Sequence, residues 1–204
     1  MRFALPLIAT PLVLAASVVW AQPLAPPPAD AHIRGKVVSL EGQTLTVATR
    51  EGPQAVIRLP TAWQTFVVKP VAASAIQPGS FIGTTEVAKP DGSGTSLEVH
   101  VFPPGVKPGE GHYAWDLKPG SMMTNGTVDT LVTGVAGRDL TVSYPGGSRK
   151  ITVPDGIPIV AFGPGDKALI KPGASIFVVA KANADGTYAA GGIVTGDNGS
   201  APPM

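Results

Sequence analysis

The chain has 204 residues, with 25 glycines, 22 prolines and no cysteine; 44% of it is hydrophobic and 14% charged. Disorder needs low hydrophobicity with high charge, and a helical bundle does not tolerate this density of helix breakers, so both are excluded. The absence of cysteine removes a disulfide framework, a thiolate metal site, a cysteine nucleophile and a lipoprotein anchor, and the composition predicts a turn-rich all-β protein.

Residues 1–21 read as a signal peptide. Arg2 precedes an uncharged, mostly apolar run from Phe3 to Trp20, and Val19-Trp20-Ala21 has the small-x-small form of a cleavage site. Retention as an N-terminal anchor is the alternative that the length of the run allows. Cleavage leaves 183 residues with 14 basic and 14 acidic side chains, hence no formal net charge. No basic stripe then supports nucleic-acid binding, and no later run is apolar enough to span a bilayer as a helix. The expected location is the periplasm or the exterior of a bacterium. Residues 22–31, with Pro26-Pro27-Pro28, read as an extended spacer.

The remaining chain reads as a duplication. Pro78-Gly79 matches Pro172-Gly173 and Asp91-Gly92 matches Asp185-Gly186, both at an offset of 94 residues. Ile57 with Ile151, Pro60 with Pro154, and Val99 with Ile193 share that offset. Gly35-Lys36-Val37 resembles Gly126-Thr127-Val128, and Leu45-Thr46-Val47 resembles Leu140-Thr141-Val142. The predicted units are a first β-barrel repeat over 32–103, a connector over 104–124, a second repeat over 125–197 and a tail over 198–204.

In the first unit, strands are predicted at His32–Leu40, Gln43–Arg50, Ala55–Leu59 and Thr65–Lys69, from period-2 alternation between turn signals. One helical turn is predicted in Val71–Ile76, then a closing hairpin of Phe81–Ala88 and Thr95–Phe102. The second unit repeats this order at Gly126–Val132, Asp139–Tyr144, Arg149–Val153, Pro158–Phe162, a short Asp166–Ile170 segment, Ser175–Lys181 and Thr187–Thr195. Strands of this number and size predict two tandem small OB-like barrels, each compact and partly closed.

The connector gathers the scarce side chains. The chain beyond residue 21 has three histidines, two tryptophans and three methionines. His112, Trp115, Met122 and Met123 fall in or beside this one segment, and Glu98 and His100 lie on the strand that leads into it. A segment longer than an ordinary loop that carries such residues is expected to be ordered across the barrels. Glu98 and His100 are two apart on a strand and share a face. With Glu110 and His112 they form a candidate divalent transition-metal set, although no HExxH or CxxC spacing is present. Tyr113, Trp115 and Asp116 complete a candidate ligand or partner surface. Their alternative role, like that of Met122-Met123, is to seal the connector against the barrels. No G-x-S-x-G elbow, Walker loop or S-x-x-K pattern occurs. Asn125-Gly126-Thr127 and Asn198-Gly199-Ser200 match the glycosylation sequon and are expected to be turns.

Leu97-Glu98-Val99-His100-Val101-Phe102-Pro103, Gly109-Glu110-Gly111-His112, Trp115-Asp116-Leu117, Met123-Thr124-Asn125 and Pro202-Pro203-Met204 carry a resemblance. The chain resembles a family of exported bacterial proteins of unknown function with small all-β domains, often labelled as metal ABC transporter components. The resemblance implies export and β architecture, and implies no catalytic residues. The expected function is a non-catalytic periplasmic binding or accessory protein whose partner is a small ligand or another periplasmic protein. The alternatives are a divalent-metal-binding protein serving a transporter, with His100 and His112 as ligands, and a hydrolase using a His/carboxylate pair.

Overall fold

The computed structural model describes residues 30–135 and 137–204. The predicted leader 1–21 and residues 22–29 of the predicted spacer lie outside the described residues. The described chain is almost wholly β. Its first part forms β1 (Ala31–Glu41), β2 (Thr44–Thr49), β3 (Gln54–Arg58), β4 (Gln64–Pro70), a 3₁₀ turn (Ala73–Ala75), β5 (Phe81–Ala88) and β6 (Gly94–Val101). Next come β7 (Gly111–Ala114), β8 (Ser121–Gly134), β9 (Gly137–Tyr144), β10 (Gly147–Pro154) and β11 (Ile159–Gly165). A second 3₁₀ turn (Lys167–Leu169), β12 (Ser175–Ala182), β13 (Tyr188–Ala189) and β14 (Gly192–Gly196) complete it. Among the described residues, no helix is long and apolar enough to cross a membrane.

Local chemistry accounts for these elements. In β2, Leu45 and Val47 are buried while Thr44 and Thr46 are half-buried, the alternation of a strand with one face on a core. The two Asp-Gly turns are built alike. Asp91 Oδ1 accepts hydrogen bonds from the Ser93 N–H at 2.9 Å and hydroxyl at 2.6 Å. Asp185 Oδ1 accepts from the Thr187 N–H at 3.0 Å and hydroxyl at 2.6 Å. Gly92 and Gly186 both have φ of 80°, a conformation that excludes most side chains.

Strand pairing decides the architecture. β1, β2, β3, β13 and β12 pair in that order, and β12 pairs back to β1, closing a five-strand barrel. A second ring of pairings runs β8, β9, β10, β6, β5 and back to β8. The expectation that 32–103 and 125–197 would each close a barrel of their own is therefore corrected. Each ring takes three strands from one segment and a hairpin from the other. The physical reason is that the two hairpins offer equivalent edges and apolar faces, and sequence pattern does not say which meander each one completes.

The pairings recur at the offset already seen in the sequence. Ile57 pairs with Tyr188, and Ile151 with Gly94, both in parallel ladders. Thr65 pairs with Ile193, and Ile159 with Val99. Between the rings β4 and β11 run antiparallel with Val68 opposite Phe162, two positions themselves 94 residues apart. Asn125 lies within β8, against the expected turn, because this strand pairs with β5 along Ser121–Thr127.

Three apolar clusters hold the molecule together. Val37, Leu45, Val47, Ile57, Ile176 and Val178 fill one ring. Ile82, Val99, Val128, Leu140, Val142 and Ile151 fill the other. Val68, Val160, Phe177 and Met204 form the third, with Trp115 and Phe162 packed against it. Full burial of each such aliphatic side chain contributes about 1.5–3 kcal/mol. Gly35 and Gly126 let the first strand of each ring lie close to the second. An added Cβ would stand 2.2 Å from the Ala48 carbonyl oxygen and 2.3 Å from that of Ser143, respectively.

Exchanged closure has a direct test. Produced separately, residues 30–103 and 104–204 should each lack cooperative monomeric unfolding, and mixing them should restore native β circular dichroism in a one-to-one complex. A stable, monomeric 30–103 fragment would refute the exchanged rings.

Candidate functional site

The residues singled out in the sequence divide into separate places. Glu98 and His100 lie on β6, where an irregularity opposite Thr85/Glu86 shifts the register. Both are buried, at 1% and 4% exposure. Glu98 Oε1 accepts hydrogen bonds from the Thr85 N–H at 2.9 Å and the Thr85 hydroxyl at 2.6 Å. Its Oε2 faces His100 Nε2, and neither atom has another partner among the described residues. The imidazole stands edge-on to Phe162, with ring centroids 5.4 Å apart, and to Phe102 at 6.4 Å. A carboxylate fixed by two donors thus holds a histidine against aromatic walls. The arrangement is that of a buried carboxylate–imidazole pair.

His112 belongs to another cluster. The ladders place His112 opposite Thr124, Thr124 opposite Thr84, and Thr84 opposite Val99. β8 and β5 therefore separate β7 from β6, roughly 14 Å at about 4.8 Å per strand spacing, and His100 and His112 do not converge. His112 Nδ1 is 2.8 Å from the Thr124 hydroxyl and 3.7 Å from Glu86 Oε1. Glu86, fully buried, accepts from Arg149 Nε at 2.5 Å. Arg149 also donates through Nη1 to the Gly92 carbonyl at 2.8 Å, fastening the β5–β6 turn to β10. Glu86 needs a glycine beside it, since a Cβ on Gly94 would lie 1.9 Å from Oε2. Burial raises the Glu86 pKa above the ordinary carboxylate value, opposed by the Arg149 hydrogen bond and charge. Burial lowers that of His112, opposed by the charge of Glu86.

The remaining connector residues face the first strands of the rings. Trp115 lies over His32 of β1, with ring centroids 3.9 Å apart. Asp116 accepts from Arg34 Nη2 at 2.7 Å and Nη1 at 3.1 Å, and His32 Nδ1 is 2.9 Å from the same carboxylate. Burial pushes the Asp116 pKa up, but the Arg34 and His32 contacts outweigh it and the net shift is down. Tyr113 receives a hydrogen bond from Asn125 Nδ2 at 2.7 Å, and the Gly109 carbonyl receives one from the same amide at 3.0 Å. Met123 is buried and Glu110 is exposed.

Among the described residues, no group of three or more His, Asp or Glu side chains is placed to share a metal ion. Sequence reasoning overlooked four residues that organise these clusters, namely His32, Arg34, Glu86 and Arg149. A lone charge inside Ile82-Gly83-Thr84-Thr85-Glu86-Val87-Ala88 was the available signal for Glu86. Nothing in the spacing marks Arg149 as its partner.

Replacing His100 with alanine strands the Glu98 carboxylate and should cost about 3–5 kcal/mol in chemical denaturation. The double change Glu98→Gln/His100→Ala should recover part of that loss, because the amide oxygen still accepts from Thr85 while no charge is left buried. An unaltered midpoint for His100→Ala would show that the pair is not structurally coupled. A second effect follows from pH. With the folded pKa of His112 below its ordinary 6.5, the unfolded chain binds a proton that the folded chain does not. The stability held above that value is therefore lost as pH falls through it. Thermal midpoints should drop between about pH 7.5 and 5.5, and His112→Gln should flatten the drop; parallel curves would remove His112 as its source.

In comparison with known proteins, no family model, no curated protein and no solved structure matches the chain.

Proposed function

We propose that this is an exported, non-catalytic binding or accessory protein. In this reading it is built by duplication, and its connector clamps two barrel-like units while presenting a surface to a partner. The observation that carries the reading is the way the connector is fastened. Asp116 is held by Arg34 and Gly109 by Asn125, and these two residues immediately precede the matched glycines Gly35 and Gly126. The connector is thus tied to the same point on the first strand of each unit. Its polar and aromatic side chains serve cohesion, and Glu110 with the exposed outer parts of Tyr113 and Asp116 faces a partner. The recurrence of the strand pairings at 94 residues supports the duplication, and the leader-like segment 1–21 supports export.

The hydrolase reading is weakened by burial. His100 Nε2 is buried, and the imidazole stands edge-on to Phe102 and Phe162. The metal reading has one observation in its favour, the approach of Glu98 Oε2 and His100 Nε2 to one another. These two groups make half of a tetrahedral set, and one shared proton satisfies them equally well.

Calorimetric titration with Zn(II), Cu(II), Ni(II) and Mn(II), together with turnover of p-nitrophenyl acetate, separates the three readings. The expected result is neither metal binding nor hydrolysis that disappears in His100→Gln. Metal binding lost in that variant would favour the transporter-associated metal protein, and esterase activity lost in it would favour the hydrolase.

A further inference from the structure

A groove on the outer face of the ring closed by β1 and β12 shares only Arg34 with the clamp. It encloses about 390 Å³ and is bounded by Arg34, Lys36, Arg50, Phe177, Pro202 and Met204 among its lining residues. That volume lies within the usual range for small-molecule sites. The lining includes three cationic side chains and no acidic side chain. Arg34 and Lys36 are two apart on β1 and so project to one side.

The three cations are not equivalent. Arg34 is buried and already engaged, through both Nη atoms with Asp116 and through Nε with the Met204 carbonyl oxygen at 2.9 Å. It also lies over the Phe177 ring, 5.0 Å from the centroid. Arg34 is therefore a fixed wall that ties groove, tail and connector together. Lys36 and Arg50 are exposed. Lys36 makes no ion pair among the described residues, and the one carboxylate near Arg50 is the equally exposed Glu51 at 3.5 Å. Two exposed positive charges thus stand at the rim of a cavity whose other walls include Phe177, Pro202 and Met204 together with Thr49 and Ser175.

The matched place on the other ring is built differently. The ladders set Gly35 opposite Ile176 and Gly126 opposite Ile82, which makes Asn125, Thr127 and Gly83 the counterparts of Arg34, Lys36 and Phe177. None of these is charged. Space there is already taken, since a Cβ on Gly83 would lie 2.3 Å from Asn125 Oδ1 and 3.3 Å from the Phe102 ring. The groove and its charges belong to one ring only, so they do not follow from the shared architecture.

We propose that this groove binds a small organic anion, a carboxylate carried on a compact apolar body. Lys36 and Arg50 receive the carboxylate, and Phe177, Pro202 and Met204 receive the apolar part. A bare inorganic anion would leave the apolar walls unused, and a neutral apolar molecule would leave the cations unused. The inference goes beyond the clamp reading and holds whether or not the connector engages a partner.

The test is titration of the purified protein with 3-phenylpropionate, followed by calorimetry and by amide shifts in nuclear magnetic resonance. Shifts should cluster on β1, Arg50, Ala201 and Met204. The neutral 3-phenylpropionamide and inorganic phosphate should each bind at least about tenfold more weakly. Lys36→Ala/Arg50→Ala, which alters two exposed side chains, should weaken 3-phenylpropionate by about tenfold or more with its thermal midpoint kept. Equal affinity for acid and amide, equal affinity for phosphate, undiminished binding by the double variant, or shifts centred elsewhere would each overturn the proposal. So would an absence of binding at millimolar probe.

Discussion

A strand edge left open presents a row of unpaired N–H and C=O groups, and a small β-protein must close or cover such edges. That requirement governs this molecule. The meander β1–β2–β3 has two open edges, and the hairpin carrying β12 and β13 reaches both of them. The hairpin β5–β6 does the same for β8–β9–β10. Because each hairpin comes from the other segment, closing the rings also joins the segments. A unit of about seventy residues is small for a core of its own, and exchange makes the two cores mutually dependent.

The connector is best understood within this constraint. A chain that passes from one ring to the next while its hairpins cross needs a segment that spans both. Residues 104–120 do so by anchoring to Arg34 on one first strand and Asn125 on the other. The buried ionisable groups have related tasks. Arg149 on β10 holds both Glu86 and the turn of the incoming hairpin. Glu98 and His100 lie where β6 meets β11, beside Phe162 at the crossing of β4 and β11. Charges that resemble chemistry in a linear sequence lie at the joints where exchanged strands must hold.

Asymmetry between the rings is as informative as their likeness. Corresponding positions carry Arg34 and Asn125, or Phe177 and Gly83, so the same backbone supports a fastened arginine with an open groove on one side and a filled corner on the other. The likeness of the two rings permits this because the closure depends on strand edges and inward aliphatic side chains. Outward side chains are free to diverge.

Much of the secondary structure was legible in the residues. The alternation of Leu45 and Val47 with threonines, the Asp-Gly and Pro-Gly turns, and the shared offset of 94 residues all report local rules acting over a few positions. The face shared by Glu98 and His100 was legible for the same reason, being a matter of strand period. The grouping of His100 with His112 was not, because nearness along a connector says nothing about the strands that come to lie between. The choice of hairpin for each ring was beyond the sequence as well, since both hairpins satisfy the same edge. Glu86 with Arg149, and Asp116 with Arg34, are partners 63 and 82 residues apart. The sequence by itself determined most of the strands and the turns, because those obey short-range geometry. Tertiary structure alone decided which edges met and which charges were buried together, because those depend on how distant, chemically similar surfaces compete for the same partners.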